Sequence, residues 1–368
     1  MSSTIAHHAD DHSWMQRCRE LAQQAAGKTS PNPLVGSVIV KDGEVMGEGW
    51  HPGAGQPHAE VFALRAAGDR AQGATLYVNL EPCNHTGRTP PCTEAIMTAG
   101  ITRVVVGMID PDPRVAGSGV ERLRQAGIAV TVGVDEAACQ KLNEAFAHSV
   151  VQQRPFGILK YAMTLDGKIA TSTGHSAWIT GPDSRVWVHR LRSRCDAVIV
   201  GGQTVRRDNP RLTSHGQGDR NPLRVVMSRH LDLPEQAYLW DVESAQTLVF
   251  CCLERPVRRE QQLEHQGVEV IALPTLEPLD VFHALQERGL RSVLWECGGQ
   301  LAARAIAQNC VQKVHAFVAP KIVGGTDCPT PVGDLGIRKM NKAINLTDVT
   351  LTSIASDMLI EGYLPPLD

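Results

Sequence analysis

The sequence is poor in aromatic residues, with six Trp, four Tyr and six Phe among 368 positions. So thin a supply argues against a surface that offers base-stacking platforms in bulk. It also lacks a charge of one sign. With 36 Lys and Arg against 39 Asp and Glu, the net charge is −3. That balance excludes a broadly basic nucleic-acid or membrane-surface binder and leaves room for local basic patches or an enzyme acting on a flipped base. No apolar run approaches the ~18–20 residues that span a bilayer. The segment 1–19 is polar, rich in His and Asp, and shows no apolar signal-peptide core. What is present is ordinary globular usage, 42 % hydrophobic and 20 % charged, which suffices to bury a sizeable core. At ~150 residues per domain, the length suggests two domains. The ten cysteines are expected to be reduced thiols in a cytoplasmic protein, not a disulfide framework.

Apolar runs alternate with helical patterns along the whole chain, which predicts α/β layers. In the first half, strands are expected at Val35–Val40, Thr75–Leu80, Arg103–Val106 and Ile128–Val132. Helices are expected at Ser13–Ala26, Ala59–Ala67, Cys92–Ala99, Gly119–Ala126 and Glu136–Val150. The polar stretch Gln152-Gln153-Arg154-Pro155 then reads as a boundary, giving domains 1–150 and 151–368. The second half repeats the alternation with Phe156–Ala162, Ala197–Val200, Leu223–Met227, Thr247–Cys251, Val268–Ala272, Ser292–Trp295 and Val314–Val318. Arg207–Asn221 is polar and turn-rich and reads as a long loop.

The sharpest local signal is Pro57-His58-Ala59-Glu60, followed by Glu81-Pro82-Cys83 and Pro90-Pro91-Cys92. One imidazole and two thiolates make three zinc ligands and leave a fourth position for water, the layout of a catalytic and not a closed structural site. Zinc lowers the pKa of such a water from roughly 15.7 to about 7. Glu60 then has an evident task as proton shuttle. Residues two apart do not share a face in mid-helix. His58 and Glu60 therefore converge only where chain enters helix, and Pro57 suits that position. Pro90-Pro91 set Cys92 at a second helix start, where the positive helix end favours thiolate. Singly, a His-x-Glu is a solvated helix start and a cysteine after proline a buried hydrophobe; together and in order they point to metal. The nucleobase deaminases carry H-x-E and P-C-x-x-C, and here eight residues separate Cys83 from Cys92 where that form has two.

With this widened loop the first half resembles the deaminase domain of the bifunctional deaminase/reductase family of riboflavin biosynthesis. The matching stretches are Thr29-Ser30-Pro31-Asn32-Pro33-Leu34-Val35-Gly36, Gly47-Glu48-Gly49-Trp50-His51, Pro57-His58-Ala59-Glu60-Val61 and the run from Asn79 through Cys92. Asn84 stands where a serine is usual. The resemblance implies that His58, Cys83 and Cys92 bind zinc and that Glu60 moves the proton. It also implies that Asn32, His51, His85 and Arg88 lie around the pyrimidine and its ribosyl phosphate. On their own, Asn32 is equally a turn residue between prolines, His51 a surface histidine and Arg88 a solvated charge.

In the second half, the pairs Gly201-Gly202, Gly298-Gly299 and Gly324-Gly325 each follow an apolar run. Glycine there lets backbone amides approach a phosphate, and a helix starting at that point adds its positive end. No G-x-G-x-x-G fingerprint is present, so an ordinary Rossmann reading has no support. The runs Lys160–Ala170, Trp178-Ile179-Thr180, Gly201–Thr213 and Glu296–Gly299 are similar to the reductase domain of the same family. The resemblance implies a cytidine-deaminase-like three-layer α/β domain followed by a dihydrofolate-reductase-like one that uses NADPH. By matching motif, Ala162, Trp178, Thr204, Asp208, Gly298, Gly299, Gln300, Leu301 and Ala302 contact NADP. Ser176, Arg192, Leu212 and Glu296 face the substrate, and Lys160 either stays paired or orients the reacting carbon. Some relatives place an arginine just after the Leu-Thr pair, where this chain reads Ser214-His215; Arg211 or His215 substitutes, or the phosphate is held elsewhere. Trp178 and Arg192 also have plain readings as core packing and a solvated helix charge.

The expected function is therefore two-step. The first domain hydrolyses an exocyclic amine from a diaminopyrimidinone ribotide; the second reduces the ribosyl chain to ribityl with NADPH. Expected partners are this small ribotide and, by resemblance, further copies of the chain as dimer or tetramer, with no nucleic acid and no membrane. Two rivals stand beside it: a nucleoside or nucleic-acid deaminase with an unrelated second domain, and a zinc-stabilised interaction module without activity.

Overall fold

The computed structural model describes residues 2–85 and 90–366, with side chains from residue 11 onward. The chain divides into two compact units, Met1–Gln153 and Arg154–Asp368.

The first unit runs α1 (Ser2–Gln23), β1 (Gly36–Lys41), β2 (Glu44–Trp50), α2 (Ala59–Ala67), β3 (Thr75–Leu80), α3 (Cys92–Thr98), β4 (Arg103–Met108), α4 (Ser118–Gln125), β5 (Ala129–Val132), α5 (Glu136–Leu142) and α6 (Glu144–Gln152). Its five strands lie in the order β2-β1-β3-β4-β5, antiparallel at the first two pairings and parallel at the last two. Side chains alternate across the sheet, as period-two strands require. Leu76, Val78, Val104 and Val106 pack with residues of α2, α3 and α4, whereas Tyr77 and Val105 pack with Met15, Cys18 and Leu21 of α1 and Cys139 of α5. Two helical layers thus cover one sheet. Each such Val or Leu contributes about 1.5–3 kcal/mol when fully buried.

Two features of this unit depart from expectation. Strand β2 is absent from the apolar pattern because it is polar and carries Gly47 and Gly49. Helix α2 lies directly on those glycines: a Cβ at Gly47 would meet the Ala63 carbonyl oxygen at 2.3 Å, and one at Gly49 the Ala59 oxygen at 2.6 Å. That close seating fixes where α2 begins. The helix expected over 136–150 is two helices, broken at the buried Asn143. The Asn143 amide accepts from the Leu34 N–H at 2.8 Å and donates to the Leu34 carbonyl at 2.9 Å. Asn79 grips the same loop, donating to Leu34 O and accepting from Gly36 N.

The second unit runs β6 (Phe156–Thr164), α7 (Pro182–Arg194), β7 (Ala197–Gly201), α8 (Gly202–Asp208), β8 (Leu223–Met227), β9 (Thr247–Cys252), α9 (Val257–His265), β10 (Glu269–Leu273), α10 (Pro278–Glu287), β11 (Ser292–Trp295), α11 (Gly299–Ala307), β12 (Lys313–Ala319), β13 (Thr347–Ile354) and β14 (Asp357–Tyr363). The nine-stranded order is β10-β9-β8-β7-β11-β6-β12-β14-β13. It is parallel from β10 to β12 and antiparallel at the two pairings of β14. The expected loop at Arg207 starts later, because α8 continues through Asp208. Arg224 organises that loop from beneath. It is fully buried, donates to the carbonyls of Arg211, Tyr238, Leu239 and Asp241, and is pushed down to about 10 by burial. Among the described residues, no helix is long and apolar enough to cross a membrane.

Candidate active sites

In the first unit, three chain segments converge. His58 is the residue just before α2, in an extended conformation, and Glu60 lies in the first turn. Cys92 opens α3 directly after Pro91, and Cys83 follows β3. His58 Nδ1 lies 3.3 Å from Cys92 Sγ and 3.4 Å from Cys83 Sγ. All three ligand atoms fall within 4.8 Å of one another. Zinc bonds of roughly 2.0–2.3 Å to nitrogen and sulfur close a triangle of that size. The donor chemistry fits a catalytic zinc.

Charge in the cluster is shared unevenly. Hydrogen bonding from Cys92 holds the Cys83 thiol at about 4, aided by His58, and pushes Cys92 upward. Glu60 is 3 % exposed and its Oε2 has no hydrogen-bond partner. Burial pushes its carboxyl above the usual range, against the opposing charge of His58. A buried carboxylate oxygen without a partner beside a metal-sized triangle is costly unless chemistry uses it.

His51 is buried, not at the surface. Its ring meets the His58 ring edge-on at 5.5 Å. The Asn32 amide donates to its Nε2 at 3.0 Å, so Nδ1 carries the hydrogen donated to the Pro57 carbonyl at 3.0 Å. Burial holds the imidazole below its ordinary range, hence neutral. Asn32 and His51 therefore stand as one unit beside the triangle, and the Asn79 and Asn143 clamps hold the loop that carries Asn32. His85 is exposed and lies within charge reach of Asp110 and Asp112. Arg88 lies outside the described residues.

Glu81, two residues before Cys83, carries a structural load the sequence did not disclose. Its buried carboxylate accepts backbone N–H groups from Asp110, Gly117, Gly119 and Val120 at 2.8–3.1 Å. It thus satisfies the free donors at the start of α4. Glu81→Ala is expected to cost about 3 kcal/mol, because the bonds are charge-assisted and the donors become orphaned. A urea titration read by deaminase activity should show an earlier midpoint; an unchanged midpoint would refute the role.

In the second unit the sheet brings Lys160 of β6, Arg192 of α7 and Glu296 after β11 together. Arg192 Nε and Nη2 donate to Glu296 at 2.6 and 3.0 Å, and Lys160 Nζ stands 3.6 Å from the same carboxylate. Burial pushes Glu296 up, but Arg192 and Lys160 outweigh it and hold it at about 2. Arg192 also donates to the Thr213 carbonyl at 3.1 Å, tying in the loop of Leu212, which is buried. His215 stacks on His189 at 4.2 Å, and burial, aided by the Arg192 charge, pushes His189 down to about 4. Arg211 points its guanidinium over the Tyr238 ring at 3.9 Å. His189 escaped the sequence reading, although its place one turn before Arg192 on a helix was a usable signal.

The cofactor candidates line the carboxyl ends of the parallel strands, where ligands bind in open α/β sheets. Gly201 ends β7 and Gly202 opens α8, with Thr204 and the exposed Asp208 along it. Gly298 caps α11, and Gly299 to Ala302 form its first turn. A Cβ at Gly298 would meet nothing within 4 Å, so that backbone is open to approach, whereas one at Gly299 would meet the Thr330 carbonyl at 2.5 Å. These cradles fit a dinucleotide phosphate. Ala162 lies on β6. Trp178 is 69 % exposed, with Arg185 over its ring, so it is not core packing, and Ser176 precedes it on the same loop.

Comparison with known proteins matches both halves. Residues 155–360 match the family described as RibD C-terminal domain, and residues 8–108 match the cytidine and deoxycytidylate deaminase zinc-binding region. The chain is 62 % identical to the riboflavin biosynthesis protein RibD of Synechocystis sp. over 96 % of each chain. It is 41 % identical to the Aquifex aeolicus protein of that name, over 95 % of this chain and 97 % of that one. A solved Acinetobacter baumannii RibD superposes with a TM-score of 0.87 at 36 % identity, covering 98 % of this chain and 100 % of that one. A Thermotoga maritima diaminohydroxyphosphoribosylaminopyrimidine deaminase/5-amino-6-(5-phosphoribosylamino)uracil reductase gives 0.85 at 38 % identity with the same coverage.

Proposed function

The chain belongs to the RibD family of bifunctional riboflavin-biosynthesis enzymes, and from that premise we propose how its own residues divide the work. The first unit deaminates the diaminopyrimidinone ribotide; the second reduces the ribosyl chain of the resulting aminouracil to ribityl. The observation that carries the reading is the buried Glu60 carboxylate, its Oε2 without a hydrogen-bond partner, beside His58, Cys83 and Cys92.

His58, Cys83 and Cys92 hold the zinc, which when bound supplies a Lewis acid that lowers the pKa of a water toward 7. Glu60 takes the proton of the attacking water and delivers it to the ring and the departing ammonia. Asn32 and neutral His51 orient the pyrimidine, and His85 and Arg88 meet its ribosyl phosphate. In the second unit, Ala162, Trp178, Thr204, Asp208 and Gly298 to Ala302 hold NADPH, which supplies the hydride. Glu296, with Arg192 and Lys160 paired to it, orients the ribosyl chain, and Ser176 and Leu212 line the same face. Of the two candidates for the missing arginine, His215 is supported by its contact with the Arg192 cluster, whereas Arg211 is engaged by Tyr238. The working protein is a cytoplasmic homo-oligomer.

Incubation with the diaminopyrimidinone ribotide, followed by mass analysis, tests both halves. An aminouracil ribotide should accumulate without NADPH and its ribityl counterpart with it; ammonia release from RNA but not from the ribotide would overturn the substrate. Dialysis against a chelator should abolish deamination and spare reduction of supplied aminouracil ribotide, with zinc restoring the first activity. Loss of both activities together would contradict the division of labour.

A further inference from the structure

Eight residues separate Cys83 from Cys92, where the shorter form of the motif has two. A longer loop costs more entropy to close, so the thiolates at its two ends need a further hold to stay at chelating distance. The neck of the loop supplies one. Thr93, the residue after Cys92, is fully buried, and its hydroxyl donates to Asn84 Oδ1 at 3.1 Å. Asn84, the residue after Cys83, donates from its amide nitrogen to the Ser118 carbonyl at 3.4 Å, at the start of α4. The backbone closes the same neck: the Thr93 N–H donates to the Cys83 carbonyl and the Cys92 N–H to Cys83 Sγ, both at 3.3 Å.

On the other side of Cys83, Glu81 accepts the N–H groups of Gly119 and Val120. Helix α4 sits so close there that a Cβ at Gly119 would meet the Pro82 carbonyl oxygen at 2.0 Å. Cys83 is thus tied to α4 from both sides, and to Cys92 through backbone and neighbouring side chains. We infer that Asn84 and Thr93 are positioning residues for zinc: their hydrogen bond clasps the widened loop and holds Cys83 and Cys92 at chelating separation. The amide that stands here in place of the usual serine meets its partners with separate atoms, oxygen toward Thr93 and nitrogen toward Ser118. Groups just outside a metal's ligands fix the orientation of those ligands, and their loss weakens metal binding by about 10- to 100-fold. The inference rests on the reading that His58, Cys83 and Cys92 hold zinc.

Titration of the full chain with zinc in competition with a chromophoric chelator reads the affinity directly, apart from turnover. Thr93→Val puts a methyl in place of the hydroxyl and should weaken zinc by about 10- to 100-fold. Asn84→Ala should lose a similar factor. Thr93→Ser, which keeps the donor, should bind as the parent does. The double variant Asn84→Ala/Thr93→Val should lose less than the product of the two single losses, because both singles remove the same hydrogen bond. With cobalt in place of zinc, the thiolate charge-transfer band should change in Thr93→Val and not in Thr93→Ser, a signature that general destabilisation would not produce. Parental affinity in Thr93→Val and Asn84→Ala, equal loss in Thr93→Ser, or fully multiplicative losses overturn the clasp and leave the zinc site standing. Cys92→Ser tests the site itself: if it binds zinc as tightly as the parent, the ligand reading fails and the inference falls with it.

Discussion

Glu60→Gln should lower deaminase turnover by roughly 10²- to 10⁴-fold, the range that a positioned general acid–base contributes, while the protein keeps its zinc. The amide has the shape of the carboxylate and fits the same buried pocket, 3 % exposed in the parent, but it cannot accept a proton. His58, Cys83 and Cys92 are untouched, so metal content measured after gel filtration should match the parent. Reduction of supplied aminouracil ribotide should also proceed at the parental rate. The combination discriminates among readings. An inert zinc-stabilised module shows no turnover to lose, and a purely structural Glu60 would shift stability without a selective loss of kcat. Deamination at the parental rate would remove Glu60 from the mechanism.

The two sites differ in how far they can be read before folding. Around the metal, each residue lies at a passage between coil or strand and helix, and Pro57, Pro90 and Pro91 mark those passages in the sequence itself. Local rules therefore suffice to bring His58, Glu60 and Cys92 to helix starts. The supports of that site are another matter. Asn79, Asn143 and Glu81 act by bonding backbone groups of distant loops, and no spacing announces such a partner. In the second unit Lys160, Arg192 and Glu296 come from two strand segments and a helix, joined by a strand order in which β11 inserts between β7 and β6. Resemblance named those residues; physics of the local chain did not. Strands with a buried face, such as Thr75–Leu80 and Leu223–Met227, announce themselves. Strand β13 does not, because seven of its eight residues are exposed and no face has to be apolar.

Glu296→Gln should abolish reduction and destabilise the second unit by about 3–5 kcal/mol, the usual result of removing one partner from a buried ion pair. The side chain is 9 % exposed and bonded to an Arg192 that is 11 % exposed. Without its charge, Arg192 and Lys160 are left as neighbouring, largely buried cations with no acid between them. Burial and Arg192 already act against the Lys160 charge, and Glu296 is what opposes them. Lys160 in the variant should therefore lose its proton more readily. The same pair predicts a pH dependence. The folded carboxyl titrates at about 2, below the ~4.3 of an unfolded glutamate. Its stabilisation, on the order of 3 kcal/mol by linkage, is complete above about pH 5 and lost as pH falls toward 2. Urea unfolding of parent and variant across this window should show the parent losing more stability than Glu296→Gln. Parallel curves would mean that Glu296 gains nothing from its cations in the folded state.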